Sequence, residues 1–248
     1  MNMKLIACYW FCLTALALPA QTLAWEEVSK DKMAKIFTGM SDWFKQTTNY
    51  AVTVTHASFE SHLTPVYYEK STGYFKKEGE NYHSFLLGIH SFQIAPYKIM
   101  LDTANRTMLV SNIEQSIWAA YTLEDYTYQL NSCMSIKAAN FGSDKKYRLE
   151  YGENYPLERY EFVTGSDGAL KELVMYYRKA VPKDPDNEQS EKVKPRLSIT
   201  FSEYKKLSPG RNAREFDTGN FFTKSGNKLA PAGKYRNFKL IDQRLHAE

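Results

Sequence analysis

One change of period constrains what this chain can fold into. Between Lys30 and Gln46 the apolar residues Met33, Ile36, Phe37, Met40, Trp43 and Phe44 recur at steps of three and four, which draws one wide stripe along a helix. Ser29 stands where an N-cap belongs, and Gly39 interrupts the helix at a cost of about 1 kcal/mol relative to Ala. After Thr47 the period falls to two. In "YAVTVTHASFES" Tyr50, Val52 and Val54 share one face, and Ala51, Thr53 and Thr55 the other. "VYYEKSTGYFKK" continues as a second strand with Gly73 as a bend or bulge, and "NYHSFLLG" and "HSFQIAP" read as two shorter ones. Residues 113–130 are ambiguous, because Ile113, Ile117 and Tyr121 have helical spacing while the Tyr and Thr content favours strand. From Lys145 onward the pattern is strand: "KKYRLEYG", "LERYEFVT", an Asp-Gly turn, "ALKELVMYYRKAV", then "RLSITFSEY" with Leu197, Ile199 and Phe201 inward. One helix followed by about ten short strands predicts an α+β, mainly β fold. Its sheet is antiparallel and strongly curved, an incomplete β-barrel with the amphipathic helix on the concave face.

The central hairpin, "YKIMLDTANRTMLVSN", is locked in register. Leu101 faces Met108 and Ile99 faces Val110 on one side, and Met100 faces Leu109 on the other. Both sides are apolar, so both need cover. The sequence leaves open whether protein covers both or one lines a cavity for an apolar ligand.

The first 24 residues read as a secretory signal peptide: Lys4, then the apolar run "LIACYWFCLTALAL", then small residues up to Ala24. "LIAC" matches a lipobox around Cys8, but too little apolar chain precedes it. About 224 residues follow from Trp25, with no second run long enough to span a bilayer. They keep one cysteine, Cys133, so no internal disulfide is possible and stability must come from a packed core. These features predict a single exported domain, 25–248, in the periplasm, with a charged solvated loop at 182–195 and a C-terminal extension from about residue 230. The formal charge of +4 is interspersed, which offers nucleic acid no basic patch. A monomer is expected.

Enzyme readings are weak. Asp102-Thr103-Ala104 and Asp217-Thr218-Gly219 resemble aspartic-protease strings. No later glycine carries the closing apolar pair, and the chain after Asp217 is too short for a second lobe; each Asp is better read as capping its own turn. His56, His62, His83 and His90 have no metal-ligand spacing, no GxSxG or phosphate loop occurs, and Cys133 lacks a nucleophile's context. No catalytic residue, metal or cofactor is therefore expected.

The order of elements resembles the LolA family of periplasmic lipoprotein carriers. The likeness rests on the N-terminal amphipathic helix, "STGYFKKEGENYHSF", the central hairpin followed by Glu114-Gln115, "LERYEFVTGSDGALKELVMYYRK", "PRLSITFSEYK" and "REFDTGNFFTKSGNKL". It implies helices and short lid elements over a hydrophobic cavity that accepts acyl chains of a lipoprotein or lipid. It also implies shuttling from an inner-membrane releasing complex to an outer-membrane acceptor. On this reading Phe75, Ile99, Leu101, Met108, Val110, Phe162 and Leu197 line the cavity, covered by Met33, Phe37 and Met40. Where the family has a basic-Pro element with a latching arginine, this chain has Lys76-Lys77-Glu78, and Lys77 brings the charge without the guanidinium fork. The loop at 182–195 and the tail after Leu229 are additions. The competing expectation is a non-catalytic interaction module of an envelope assembly, with "NFKLIDQRL" adding to a partner's sheet edge.

Overall fold

The computed structural model describes residues 23–113, 126–184, 186–210 and 213–244. The leader up to residue 22 and the Glu114-Gln115 pair lie outside the described residues. A two-residue strand, β1 (Glu26–Glu27), precedes the first helix. Helix α1 (Lys30–Gln46) opens on Ser29, whose side chain accepts from the Lys32 N–H at 3.3 Å, and it buries Met33, Phe37, Met40 and Phe44. Strands β2 (Asn49–Phe59), β3 (Tyr67–Glu78), β4 (Asn81–Leu86), β5 (Ile89–Ile94), β6 (Tyr97–Asp102) and β7 (Thr107–Asn112) follow as a meander. The ambiguous stretch ends in a short helix, α2 (Tyr126–Ser132). Strands β8 (Cys133–Phe141), β9 (Asp144–Tyr151), β10 (Leu157–Thr164), β11 (Leu170–Tyr177) and β14 (Arg196–Lys206) form a second meander. Residues 182–195 carry only the two-residue ladder of β12 (Val181–Pro182) and β13 (Lys192–Val193). The tail adds three short 3-10 turns, a hairpin of β15 (Phe222–Ser225) and β16 (Lys228–Pro231), and a last strand, β17 (Lys239–Asp242).

β14 pairs with β2, which joins the two meanders into one strongly curved sheet that does not close. Its thirteen strands run β1-β8-β9-β10-β11-β14-β2-β3-β4-β5-β6-β7-β17, with β1 and β17 at the edges. Every ladder in it is antiparallel except β17 on β7.

Register assigns every strand residue to a face. One run of partners passes Val52–Phe75, Val54–Phe201, Ile199–Leu173, Leu173–Phe162 and Phe162–Tyr147; these residues share one core with Met33, Phe37 and Met40 of α1. This is the helix face. A second run passes Lys76–His83, His83–Phe92, Phe92–Ile99 and Ile99–Val110, on the opposite side of the sheet. Its apolar residues form a separate core with Phe216, Phe221, Phe222 and Tyr235, so the tail covers this face.

On the outer side of β9 and β10, Glu161 is buried between Lys146 (2.9 Å), Arg148 (2.7 Å) and Arg159 (3.2 Å). Burial pushes its pKa up, but Lys146, Arg159 and Arg148 together outweigh that and hold it below the usual glutamate value. A depressed carboxylate pKa stabilises the fold above the unfolded value, and that contribution is lost as pH falls through the folded one. Glu161→Gln should cost about 2 kcal/mol at pH 7, and the deficit should shrink as denaturation is repeated at progressively lower pH. A deficit independent of pH would mean that the cations contribute nothing.

Candidate functional site

The helix face is built around α1. Phe37 sits between Phe162 (5.5 Å) and Tyr126 (5.8 Å), and Tyr147 stacks on Phe162 at 4.8 Å. At the C-terminal end of the helix Trp43 packs against Phe44, Tyr50 and Tyr204. Met33 and Phe37 are fully buried, so α1 occupies the space in front of the sheet.

Lys77 fastens the end of α1. Its side chain is 1 % exposed, and Nζ donates to the carbonyls of Phe44 (2.6 Å) and Lys45 (3.1 Å). Carbonyls in the last turn of a helix have no partner within it, and a cation there also meets the negative end of the helix dipole. Burial lowers the Lys77 pKa, with Glu80 opposing.

The ten residues expected to line a cavity divide between the two faces. Met33, Phe37, Met40, Phe75 and Phe162 lie together in the helix-face core, and Leu197 packs at its margin. Ile99, Leu101, Met108 and Val110 are fully buried beneath the tail on the other face. The residues that carry the helix face onto the central hairpin are Met100 and its partner Leu109, flanked by Leu86, Ile89 and Ile241. Leu86 packs at the margin of the α1 core, Met100 is 36 % exposed, and Ile89, Leu109 and Ile241 are half-buried outside that core, so the strip beyond Leu86 is only partly covered. The pairing of Met100 with Leu109 was legible in the sequence; which face would remain open was not.

A crevice of about 380 Å³ opens at the end of α1, lined by Trp43, Thr47, Tyr50, Tyr204 and Lys205. The Tyr50 hydroxyl is buried there without a hydrogen-bond partner, as is His56 Nδ1 on the same sheet face. Burial is the main cause of the raised Tyr50 pKa, so the phenol stays protonated.

The catalytic alternatives have structural roles. Asp102 accepts from the Asn105 N–H at 2.9 Å, and Asp217 accepts from the Gly219 N–H at 2.8 Å, each within its own turn. Cys133 is buried, and its thiol is pushed up to about 11 chiefly by desolvation. Among the described residues no group of three His, Cys, Asp or Glu side chains is placed to hold a metal ion. His83 and His90, seven apart in sequence, do meet, on the tail face.

No protein-family model matches the chain, and no curated protein matches it. Among solved structures, an uncharacterized conserved protein from Thermus thermophilus superposes at TM-score 0.45 and 7% identity, over 85% of this chain and 99% of that one. The lipoprotein LppX of Mycobacterium tuberculosis gives 0.38 at 8% identity, over 73% and 98%. A DUF1329 family protein from Desulfovibrio piger gives 0.33 at 9%, over 74% and 96%. At TM-scores below 0.5 these likenesses assign no function.

Lys77→Met keeps the buried stem and removes the ammonium. It should speed amide exchange in residues 40–47 at least tenfold, with little change in β9 and β10. Unchanged exchange in that turn would show that Lys77 does not hold the helix end.

Proposed function

We propose that this chain is an exported, non-catalytic carrier of acyl chains, from lipoproteins or lipids, which it binds on the helix face. The observation that carries the reading is that the apolar helix face extends beyond the α1 core, onto Ile89, Met100, Leu109 and Ile241. An acyl chain laid on that strip runs toward the space α1 fills, and the two compete for Phe75 and Phe162.

The magnitudes allow exchange. Burying an acyl chain of some fourteen methylenes gives roughly 11 kcal/mol at about 0.8 each. Undocking the four buried stripe residues of α1 forfeits roughly 1.5–3 kcal/mol apiece, a sum of the same order. Gly39 weakens α1 further, and it faces open space with no packing contact that would require glycine. The unpartnered Tyr50 hydroxyl gives a polar head or ester group a donor at the end of the groove.

On this reading Lys77 is the latch that holds the lid helix closed. The remaining assignments follow the LolA-like order of elements: cleavage of the leader, a periplasmic location, loading at an inner-membrane releasing complex and delivery to an outer-membrane acceptor. The competing reading, an envelope interaction module using "NFKLIDQRL", finds that strand already spent on β7 as β17, with only its outer edge open to a partner.

Delipidated protein should bind a fluorescent long-chain fatty acid saturably. Leu109→Asp and Met100→Asp, at incompletely buried positions, should each weaken binding at least tenfold and leave the circular dichroism unchanged. Leu101→Asp should unfold the protein, because Leu101 is fully buried under the tail. Absence of binding at any fatty-acid concentration contradicts the carrier reading.

A further inference from the structure

A cleft lies on the other face of the sheet, a cavity of about 760 Å³ between β3–β5 and the tail. Its volume is in the range of small-molecule sites. On its floor His83 and Phe92 stack face to face with centroids 3.9 Å apart. In its roof Phe221 and Tyr235 stack within 7° of parallel, and Phe221 packs on Phe92 at 4.7 Å. Phe92 and Phe221 touch there, and beside that contact the cavity is walled by the rings of Tyr74, Tyr235 and Phe238.

The polar groups gather at one side of the cavity. His83 is buried and its Nδ1 hydrogen-bonds to Glu215, while its Nε2 faces His90 Nδ1 at 3.1 Å and the Tyr74 hydroxyl at 3.4 Å. Lys76 sits 3.3 Å from the same Glu215 carboxylate. One carboxylate thus answers Lys76 and His83, and His90 reaches it only through His83. Lys234, which also lines the cavity, lies 5.0 Å over the Tyr235 ring and has no carboxylate partner among the described residues. His90 Nε2 likewise has no protein partner among the described residues. Glu215 of the cleft is therefore already engaged by Lys76 and His83, which leaves Lys234 unmatched beside a ring nitrogen able to donate once protonated. The same cations act on His90, whose pKa is lowered by burial first and then by His83, Lys234 and Lys76, with Glu215 opposing.

We propose that this cleft is a second binding site, for a flat aromatic or similarly planar molecule that bears one carboxylate. The ring lies in the cavity against Tyr74, Tyr235 and Phe238. The carboxylate lies at Lys234 and His90, where it supplies the missing negative charge. An incoming carboxylate also favours protonation of His90, which turns its free nitrogen into a charge-assisted donor. The site is independent of the carrier reading, because the sheet separates it from the helix face.

The probe is 1-naphthoate, with naphthalene-1-methanol as its uncharged counterpart, followed by calorimetry and by the ring resonances of the histidines. Saturable naphthoate binding should shift the His83 and His90 signals. The alcohol should bind at least tenfold more weakly. Lys234→Glu, at an exposed position, should weaken naphthoate at least tenfold with the circular dichroism unchanged, and Leu109→Asp should leave it intact. No saturable binding, equal affinity for the alcohol, unmoved histidine signals or an unaffected Lys234→Glu variant would each overturn the proposal.

Discussion

Both faces of this sheet are apolar, and each needs its own cover. A thirteen-stranded open sheet cannot hide its sides by closing on itself, so other parts of the chain must do it. On one side α1 lays down its stripe of Met33, Phe37, Met40 and Phe44. On the other the tail folds Phe216, Phe221, Phe222 and Tyr235 over the hairpin core. The segment after β14 is therefore part of the fold and no mere appendage. Its last strand pairs in parallel with β7, and Glu215 bonds back to β4 through His83.

The two covers differ in how they are held. The tail is fixed by a strand ladder, an ion pair and its own aromatic stacks. α1 has an apolar stripe, the short β1–β8 ladder and the Lys30 bond to the Asn131 carbonyl at its start, and the two hydrogen bonds from Lys77 at its end. It also carries Gly39, in open space, where Ala would strengthen the helix. On the proposed carrier reading α1 is the cover that an apolar ligand displaces, and the partly covered strip through Met100 and Leu109 lies on its side of the sheet.

Much of the frame was legible in the sequence because period and register are local. The stripe of α1, the inward set Leu197, Ile199 and Phe201, and the pairing of Leu101 with Met108 all follow from spacing alone. Strand β8 was missed for a physical reason. A bulge between Cys133 and Ser135 puts its buried residues Cys133 and Ile136 three apart on one face, and Ala139 is buried on the other, which together disguise the period of two. The division of the expected lining between two faces was hidden as well. Alternation shows that Ile99 and Met100 point opposite ways but not which side a distant helix will choose. The His83–His90–Glu215 cluster was beyond reach too, since a hairpin joins the first two and the third arrives 132 residues after His83.

The account turns on whether α1 yields to an apolar ligand. The direct measurement is the distance between spin labels at Lys35 on α1 and Lys145 on β9, in a chain whose native cysteines are replaced, with and without saturating fatty acid. The account predicts a change on the order of a helix diameter, about 10 Å. An unaltered distance while the fatty acid is demonstrably bound would contradict it.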